Sequence, residues 1–454
     1  MTQSGGTGAK HKIGLIPCLA FAVGTMIGGG VFTLSGVAVD QAGPGALLAY
    51  LLAGVVMLLS ALSFVVIASR AKQGESGYAP LDAILGHGWY FITAWGFYLN
   101  AVTAIAFVLI SFGSYLNQYF VKGLEPVPAA LIALAGLALL NLGPADAVGR
   151  AETFLVGVKV AILLLLVAFG VANIGDAQFT PFLPNGPSSL FAVTALLFTA
   201  YTGFNTVTNM AGDVRNAQRT VPLAIVLSIV ISAVIYMGVI VALLASGQQN
   251  LGEAGLGKAA QALMGDWGAY LVAFAACVST LSGANANLLG SSELMIRLTA
   301  CGDVPPALGR TTRRGNPFVS VIFGTGVAAV FMGLSKGATD SIISLSNVSA
   351  IFAMLIVNVG AFRIARSGWT SPGARLPGGM TIPVLGFLVA AAQLPELGLR
   401  AIGVTVVFMA VGYAVHSRRR WTTLGGNAVE EAHRLIAALE TPLARALRRA
   451  ERAL

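Results

Sequence analysis

The sequence is short of charge. Asp, Glu, Lys and Arg together make up 10% of its 454 residues, against roughly a quarter in an ordinary soluble domain. A chain of this length with so few charges cannot present most of its surface to water. Cysteine is nearly missing too. Cys18, Cys277 and Cys301 lie in or beside apolar segments with no paired spacing, which argues against a disulfide framework and gives no zinc-ligand pattern. The four histidines, His11, His87, His416 and His433, fall near segment ends or in the tail, so no histidine metal cluster, no other metal site and no cofactor are expected. An enzyme working inside apolar segments needs a nucleophile beside a base, a metal cluster or a carboxylate pair, and the sequence offers none of these there. Repeated pore-lining polar rings, the mark of a channel, are absent as well. No cleaved leader is expected, because Met1 to Lys12 is short, polar and Gly-rich and runs into the first apolar segment without a small-residue cleavage site.

What the sequence has in quantity is apolar residues, 56% of the total. They recur in runs of about 20, each long enough to cross roughly 30 Å of hydrocarbon as a helix, and helices are required there because a lipid-exposed backbone must satisfy its own hydrogen bonds. Twelve spans are predicted, near 13–39, 45–69, 88–119, 127–143, 151–173, 188–212, 221–245, 268–298, 317–334, 341–365, 380–394 and 398–416. Pro383, Pro395 and Glu396 crowd the last two, and a count of ten or eleven crossings would leave the rest of the reading unchanged. The formal net charge of +9 raises the possibility of nucleic acid, but its distribution points to topology. With the N-terminus inside, 22 of the 27 Lys and Arg residues fall on the cytoplasmic side and its tail. Only Lys122, Lys258, Lys336 and Arg400 fall outside, and Lys159 is left within a span. That bias places both termini in the cytoplasm of a multi-pass protein of the cell (inner) membrane. Residues 1–12 then form a cytoplasmic tail, 13–416 the membrane domain and 417–454 a second tail. Leucines and alanines at helical spacing from Ala428 predict an amphipathic helix on the inner leaflet, with a regulatory or partner-binding tail as the alternative.

Two places interrupt the helical pattern. The first span holds Gly24-Thr25-Met26-Ile27-Gly28-Gly29-Gly30-Val31-Phe32, with four glycines in seven residues. The sixth holds Thr199-Ala200-Tyr201-Thr202-Gly203-Phe204-Asn205, five spans later. Glycine also serves tight packing between helices, but two interrupted helices at corresponding places in two halves point to a transporter's midplane site. Free N–H groups at a half-helix N-terminus suit a carboxylate, and freed carbonyls suit an ammonium. An amino acid carries both.

The stretch GTMIGGGVF (Gly24 to Phe32) resembles the first-helix signature of the amino acid–polyamine–organocation (APC) transporters, in particular the proton-coupled amino acid permease branch. So do the run from Tyr201 to Pro222, Gly74-Glu75-Ser76-Gly77-Tyr78, and Ser292 to Pro305. The resemblance covers nearly all of 13–416. It implies an all-α membrane protein of the leucine-transporter-like fold: two inverted five-helix repeats (about 13–173 and 188–365) plus about two peripheral helices (380–416), about 12 transmembrane helices in all. It further implies that the substrate carboxylate meets the N–H groups of Gly29 and Gly30, beside Thr25 and Gly28. The amino group would meet the carbonyls of Met26, Thr199 and Thr202, and Phe198, Tyr201 and Phe204 would form a hydrophobic wall or gate, although aromatics on membrane helices also serve as packing. The sequence departs from the family at three points. Asn205 stands where many relatives have a glutamate, Ala217 replaces a proline, and Glu293 replaces an arginine, with Arg297 one helical turn on as its potential partner.

Lys159 lies about eight residues inside the fifth span, roughly 12 Å deep at about 1.5 Å per residue. An ammonium at that depth costs several kcal/mol unless paired or hydrated, and desolvation favours its neutral form, so it is a candidate proton carrier. The alternatives are a lysine reaching the inner headgroups or one fixed between helices. By the family resemblance, its ammonium would bond the carbonyls of Gly24 and Ile27 and the hydroxyls of Ser279 and Ser282, where sodium-coupled relatives hold sodium. No acidic residue lies near either break, which favours a neutral substrate. The leading reading is a secondary active transporter, a proton-coupled symporter of neutral L-amino acids working by alternating access. An amino-acid or polyamine exchanger or facilitator with Lys159 as a structural cation is the rival, and a transport-like membrane sensor the alternative from another class. The partners expected are an amino acid, a proton and the lipid bilayer, with no nucleic acid; the oligomeric state is left open.

Overall fold

The computed structural model describes residues 14–71, 76–142, 148–204, 214, 217–312, 317–335, 337–367 and 379–418, apart from the side chains of Pro17, Phe21, 148–155 and 217–219. Both predicted tails therefore lie essentially outside the described residues, as do Asn205 and Gly74-Glu75.

The described chain is built of helices. The first apolar run forms α1 (Leu15–Met26) and α2 (Gly29–Ala42), separated at Ile27-Gly28. Gly43, at φ +58°, starts the Gly-Pro-Gly turn into α3 (Ala46–Ala68). A short α4 (Leu81–Leu85) precedes α5 (His87–Tyr115), followed by α6 (Pro126–Leu142) and α7 (Val148–Ala172). The second half opens with α8 (Pro187–Leu197), with Pro187 in the first turn, where its missing N–H costs nothing. Then come α9 (Ala217–Ala245), the short α10 (Gly255–Met264), α11 (Asp266–Ala300), α12 (Phe318–Ser335) and α13 (Thr339–Ser367). Two outlying helices follow, α14 (Thr381–Ala391) and α15 (Leu399–Arg418). The sequence spans and these helices coincide to within a few residues, except at the sixth, predicted over 188–212, whose α-helix ends at Leu197 and whose last eight residues lie outside the described ones. At 11 residues α14 is about 16 Å long, and the apolar stretch continues only through turns and a 3₁₀ segment at Pro395–Leu397. Pro395 is the reason that span was the hardest to place.

Helix α5 runs through the middle, buried along most of its length and packed by α11 and α13. The periphery is apolar and exposed: Ile132, Leu139, Leu334, Leu399 and Val407 are all more than 60% accessible. That is the surface of a protein whose solvent is hydrocarbon. Between the helices, buried amides replace the missing water as partners. Asn100 donates to the Ser346 carbonyl at 3.0 Å, and Asn141 to Asn285 at 2.6 Å.

Two faces follow from the alternation of helices. The near face is where α1 begins; the far face is where α2 ends. On the far face the Asp40 carboxylate accepts the N–H groups of Leu251 and Gly252 at 2.9 and 2.7 Å, and Ser114 donates to Glu253 at 2.8 Å. Burial raises the Glu253 carboxyl above its ordinary value, and the Thr339 and Ser114 hydroxyls pull it partly back. A carboxyl with a raised folded-state pKa contributes stability that is complete below its unfolded value, about 4.3, and is lost as pH rises through the folded value. Amide exchange at Leu251 and Gly252, corrected for intrinsic chemistry, is therefore expected to accelerate as pH climbs above the ordinary carboxylate range. In Glu253→Gln the corrected rates are expected to be flat with pH.

Candidate functional site

The geometry of the first break comes from its glycines. Ile27 ends α1 with its N–H on the Val23 carbonyl, and Gly28 turns into an extended conformation (φ −93°, ψ −151°) with no side-chain cap. The first N–H groups of α2 belong to Gly29, Gly30 and Val31, and a helix start leaves such donors without intrahelical acceptors. Neighbours crowd both positions: a Cβ on Gly29 would lie 2.6 Å from Val108, where something must shift, and one on Gly30 would lie 3.3 Å from the Ala200 backbone, a tight contact that a small shift relieves.

At the second break α8 gives way to a 3₁₀ helix, Phe198–Phe204. Three residues per turn sort its side chains onto three ridges. Phe198, Tyr201 and Phe204 form one ridge, and all three are fully buried. Thr199 and Thr202 form a second, facing a cavity. Ala200 and Gly203 form the third, pressed on the first break. A Cβ on Gly203 would lie 2.6 Å from the Met26 nitrogen, and Thr25 Oγ1 donates to the Gly203 carbonyl at 3.1 Å. The two interruptions are thus in direct contact.

The cavity between them measures about 660 Å³. It is lined by ten of the residues singled out from the sequence: Thr25, Met26, Gly28, Gly29 and Gly30 at the first break, Thr199 and Thr202 at the second, and Gly24, Lys159 and Ser282 beside them. Phe107 and Val108 of α5 supply an apolar wall. The cavity continues toward the near face past Asn287, Glu293 and Arg297. On the far side the way is filled: Tyr201 donates to the Tyr50 carbonyl at 3.0 Å, Tyr50 meets Ser35 at 2.8 Å, and Tyr115 donates to the Phe32 carbonyl at 2.9 Å.

The other sequence candidates are placed differently. Phe198, Tyr201 and Phe204 do not line the cavity. Phe204 packs edge-on against Phe64, 5.6 Å between centroids, and Tyr201 packs among Tyr50 and Tyr236. Ile27 and Ser279 are buried behind the lining, joined by a hydrogen bond of 3.4 Å from the serine hydroxyl to the Ile27 carbonyl. Lys159 is 2% exposed, on a helix that packs against both α1 and α11, and Gly24 receives the Val156 side chain one turn before it. The turn-spaced pair Glu293 and Arg297 forms no ion pair within 4.0 Å. Both border the open end of the cavity, where water weakens such an attraction.

Two polar residues that sequence reasoning passed over organise the breaks. The Tyr236 hydroxyl, in α9, lies 2.7 Å from the Met26 carbonyl and 3.0 Å from the Ala200 carbonyl, so it braces both interruptions at once. Asn347, in α13, donates from Nδ2 to the carbonyls of Ala195 and Leu196, each at 2.9 Å, where α8 stops being α-helical. Each shares its helix with several serines, Asn347 with Ser344, Ser346 and Ser349 and Tyr236 with Ser228 and Ser232, so nothing in the sequence set it apart.

The profile of the family described as amino acid permease matches residues 13–416. The chain is 25% identical over 448 residues to the branched-chain amino acid permease BcaP of Bacillus subtilis (strain 168), covering 92% of this chain and 95% of that one. It is 25% identical to the branched-chain amino acid permease BcaP of Lactococcus lactis subsp. cremoris (strain MG1363), covering 88% and 92%. Its identity to cationic amino acid transporter 1 of Arabidopsis thaliana is also 25%, over 75% of this chain and 60% of the relative.

Proposed function

Since the chain belongs to the amino acid permease family, we propose that it is a proton-coupled symporter of neutral L-amino acids in the cell (inner) membrane, with both termini cytoplasmic. The observation that carries the proposal is the composition of the cavity where the two breaks meet. The N–H groups at the start of α2 take the substrate carboxylate, and carbonyls at the ends of α1 and of the 3₁₀ segment take its ammonium. Glu293, at the near-face mouth, is the single acidic residue among the described lining residues. A cationic side chain therefore finds no carboxylate beside the breaks, whereas Phe107 and Val108 offer an apolar one a wall. Two relatives named as branched-chain amino acid permeases agree with that choice; two named as cationic amino acid transporters do not.

The near face is the cytoplasmic one on this reading, since it collects the Lys and Arg excess. The cavity reaches that face and is filled toward the other, so the conformation is the inward-open member of an alternating-access cycle. Lys159 supplies the coupling: protonated, it bridges α7 to α1 and α11; neutral, it releases them. The test is uptake into proteoliposomes under an imposed pH gradient, acid outside, with leucine, isoleucine, valine and lysine as substrates. Neutral substrates are expected to accumulate several-fold above their level without the gradient, and lysine is not. Gradient-independent uptake that needs preloaded amino acid would replace symport with exchange.

A further inference from the structure

Away from the cavity, on the near face, the structure gathers groups that the sequence keeps far apart. Asp303, in the turn after α11, is 1% exposed. Its Oδ1 lies 2.8 Å from Nε2 of His87, the first residue of α5, and 2.9 Å from Nδ1 of His416, near the end of α15. Its Oδ2 is buried and has no hydrogen-bond partner among the described residues. The expectation that the histidines form no cluster rested on their places near segment ends or in the tail; folding brings two of those segment ends onto one carboxylate.

We propose that His87, Asp303 and His416 form a binding site for a divalent transition-metal ion of the zinc class. One candidate ligand atom from each lies within 4.8 Å of the others. Tetrahedral bonds of about 2.0–2.1 Å set ligand atoms about 3.3 Å apart, so an ion needs the contacts of 2.8 and 2.9 Å to widen by roughly half an ångström. Two imidazole nitrogens and one carboxylate oxygen, without thiolate, suit zinc and exclude magnesium and calcium, which take oxygen ligands. The surroundings are those of a metal site as well. The other nitrogen of His87, Nδ1, lies 3.1 Å from the Asp82 carboxylate, the arrangement that orients a metal-bound histidine and raises its basicity. The His416 ring is held flat against Phe91, 4.6 Å between centroids at 14°. A second cavity of about 330 Å³, bordered by both histidines, Trp89 and Tyr413, opens beside the cluster and leaves room for a water as fourth ligand. A dication would also neutralise a buried carboxylate that otherwise holds one oxygen without a donor, a costly arrangement. The bound ion would join the start of α5, the turn after α11 and the end of α15, and so fasten the outlying helix to the core on the face where the cavity opens.

The experiment uses the full chain, purified without a histidine tag, stripped with chelator, incubated with zinc and cleared of excess before metal analysis. About one zinc per chain is expected for the parent and for His433→Ala, and none for His87→Ala or His416→Ala. Asp82→Asn keeps the ligands and is expected to bind roughly 10–100-fold more weakly. Cobalt-loaded parent protein is expected to show the visible absorption of a four-coordinate nitrogen and oxygen site, which requires no variant to fold. A parent that retains no more zinc than the His87→Ala/His416→Ala double variant, or gives no such cobalt spectrum, would overturn the assignment and leave a cluster of polar side chains held by close contacts alone.

Discussion

Lys159→Ala is expected to abolish accumulation driven by a pH gradient, by about 10–100-fold, while substrate binding changes only a few-fold and loses its dependence on pH. The lysine is 2% exposed, lines the cavity as Gly24 and Ser282 do, and sits on a helix packed against α1 and α11. An ammonium at that depth is favourable only while polar groups or water hold it, so on the proposed mechanism releasing its proton and releasing the helices are coupled events. Alanine removes both. The sharper comparison is Lys159→Arg. Arginine keeps the positive charge but does not release its proton at any pH the protein meets. If Lys159 carries the proton, arginine fails as completely as alanine. If it is only a structural cation, arginine restores uptake that alanine loses. Gradient-driven uptake in proteoliposomes, paired with ligand-induced thermal shifts across pH, reads both quantities. Full proton-driven uptake in the alanine variant would remove Lys159 from the mechanism.

Where the fold was legible, the reason is hydrocarbon. A helix that must cross it is long and apolar, and α3, α5, α9 and α11 declare themselves by that alone. Gly28 to Gly30 were legible as a break because a second interruption stands five spans later, at Thr199 to Asn205; glycine alone also serves packing between helices. What stayed hidden depends on direction. Phe198, Tyr201 and Phe204 read as a wall, but at three residues per turn they share one ridge, and it is the other two, Thr199 with Thr202 and Ala200 with Gly203, that border the cavity. A sequence reading at 3.6 residues per turn spreads those residues around the helix instead. Tyr236, Asn347 and the pair of His87 and His416 were hidden for another reason. Their partners lie on other helices, and no spacing along the chain records which carbonyl or carboxylate a side chain meets after packing. Glu293 and Arg297 show the converse: correct spacing on one helix does not make a pair when both residues border an open cavity.

Gly203→Ala is expected to destabilise the protein by about 1–3 kcal/mol and to remove substrate-induced thermal stabilisation. A Cβ at Gly203 would stand 2.6 Å from the Met26 nitrogen, 2.7 Å from the Thr25 carbonyl carbon and 2.9 Å from the Met26 Cα. All three atoms are backbone, so no side chain can swing aside, and the two broken helices must separate. Separation in turn pulls the Met26 and Ala200 carbonyls away from the Tyr236 hydroxyl that spans them. The effect should be graded. At Gly30 the nearest atom is the Ala200 Cα at 3.3 Å, a gap that a shift of a few tenths of an ångström opens, so Gly30→Ala is expected to fold and to bind weakly. At Gly136, in α6, nothing lies within 4 Å, and alanine there is expected to be neutral or slightly stabilising, as a better helix former than glycine. Tyr236→Phe reaches the same contact from the other side. It keeps the ring but strips the hydroxyl from two carbonyls, at a cost of about 1–3 kcal/mol, and should weaken substrate binding with little change in expression. Thermal unfolding of the purified variants, with and without substrate, orders the series. A Gly203→Ala protein that melts like Gly136→Ala and binds like the parent would mean that the two breaks need not touch for the site to form.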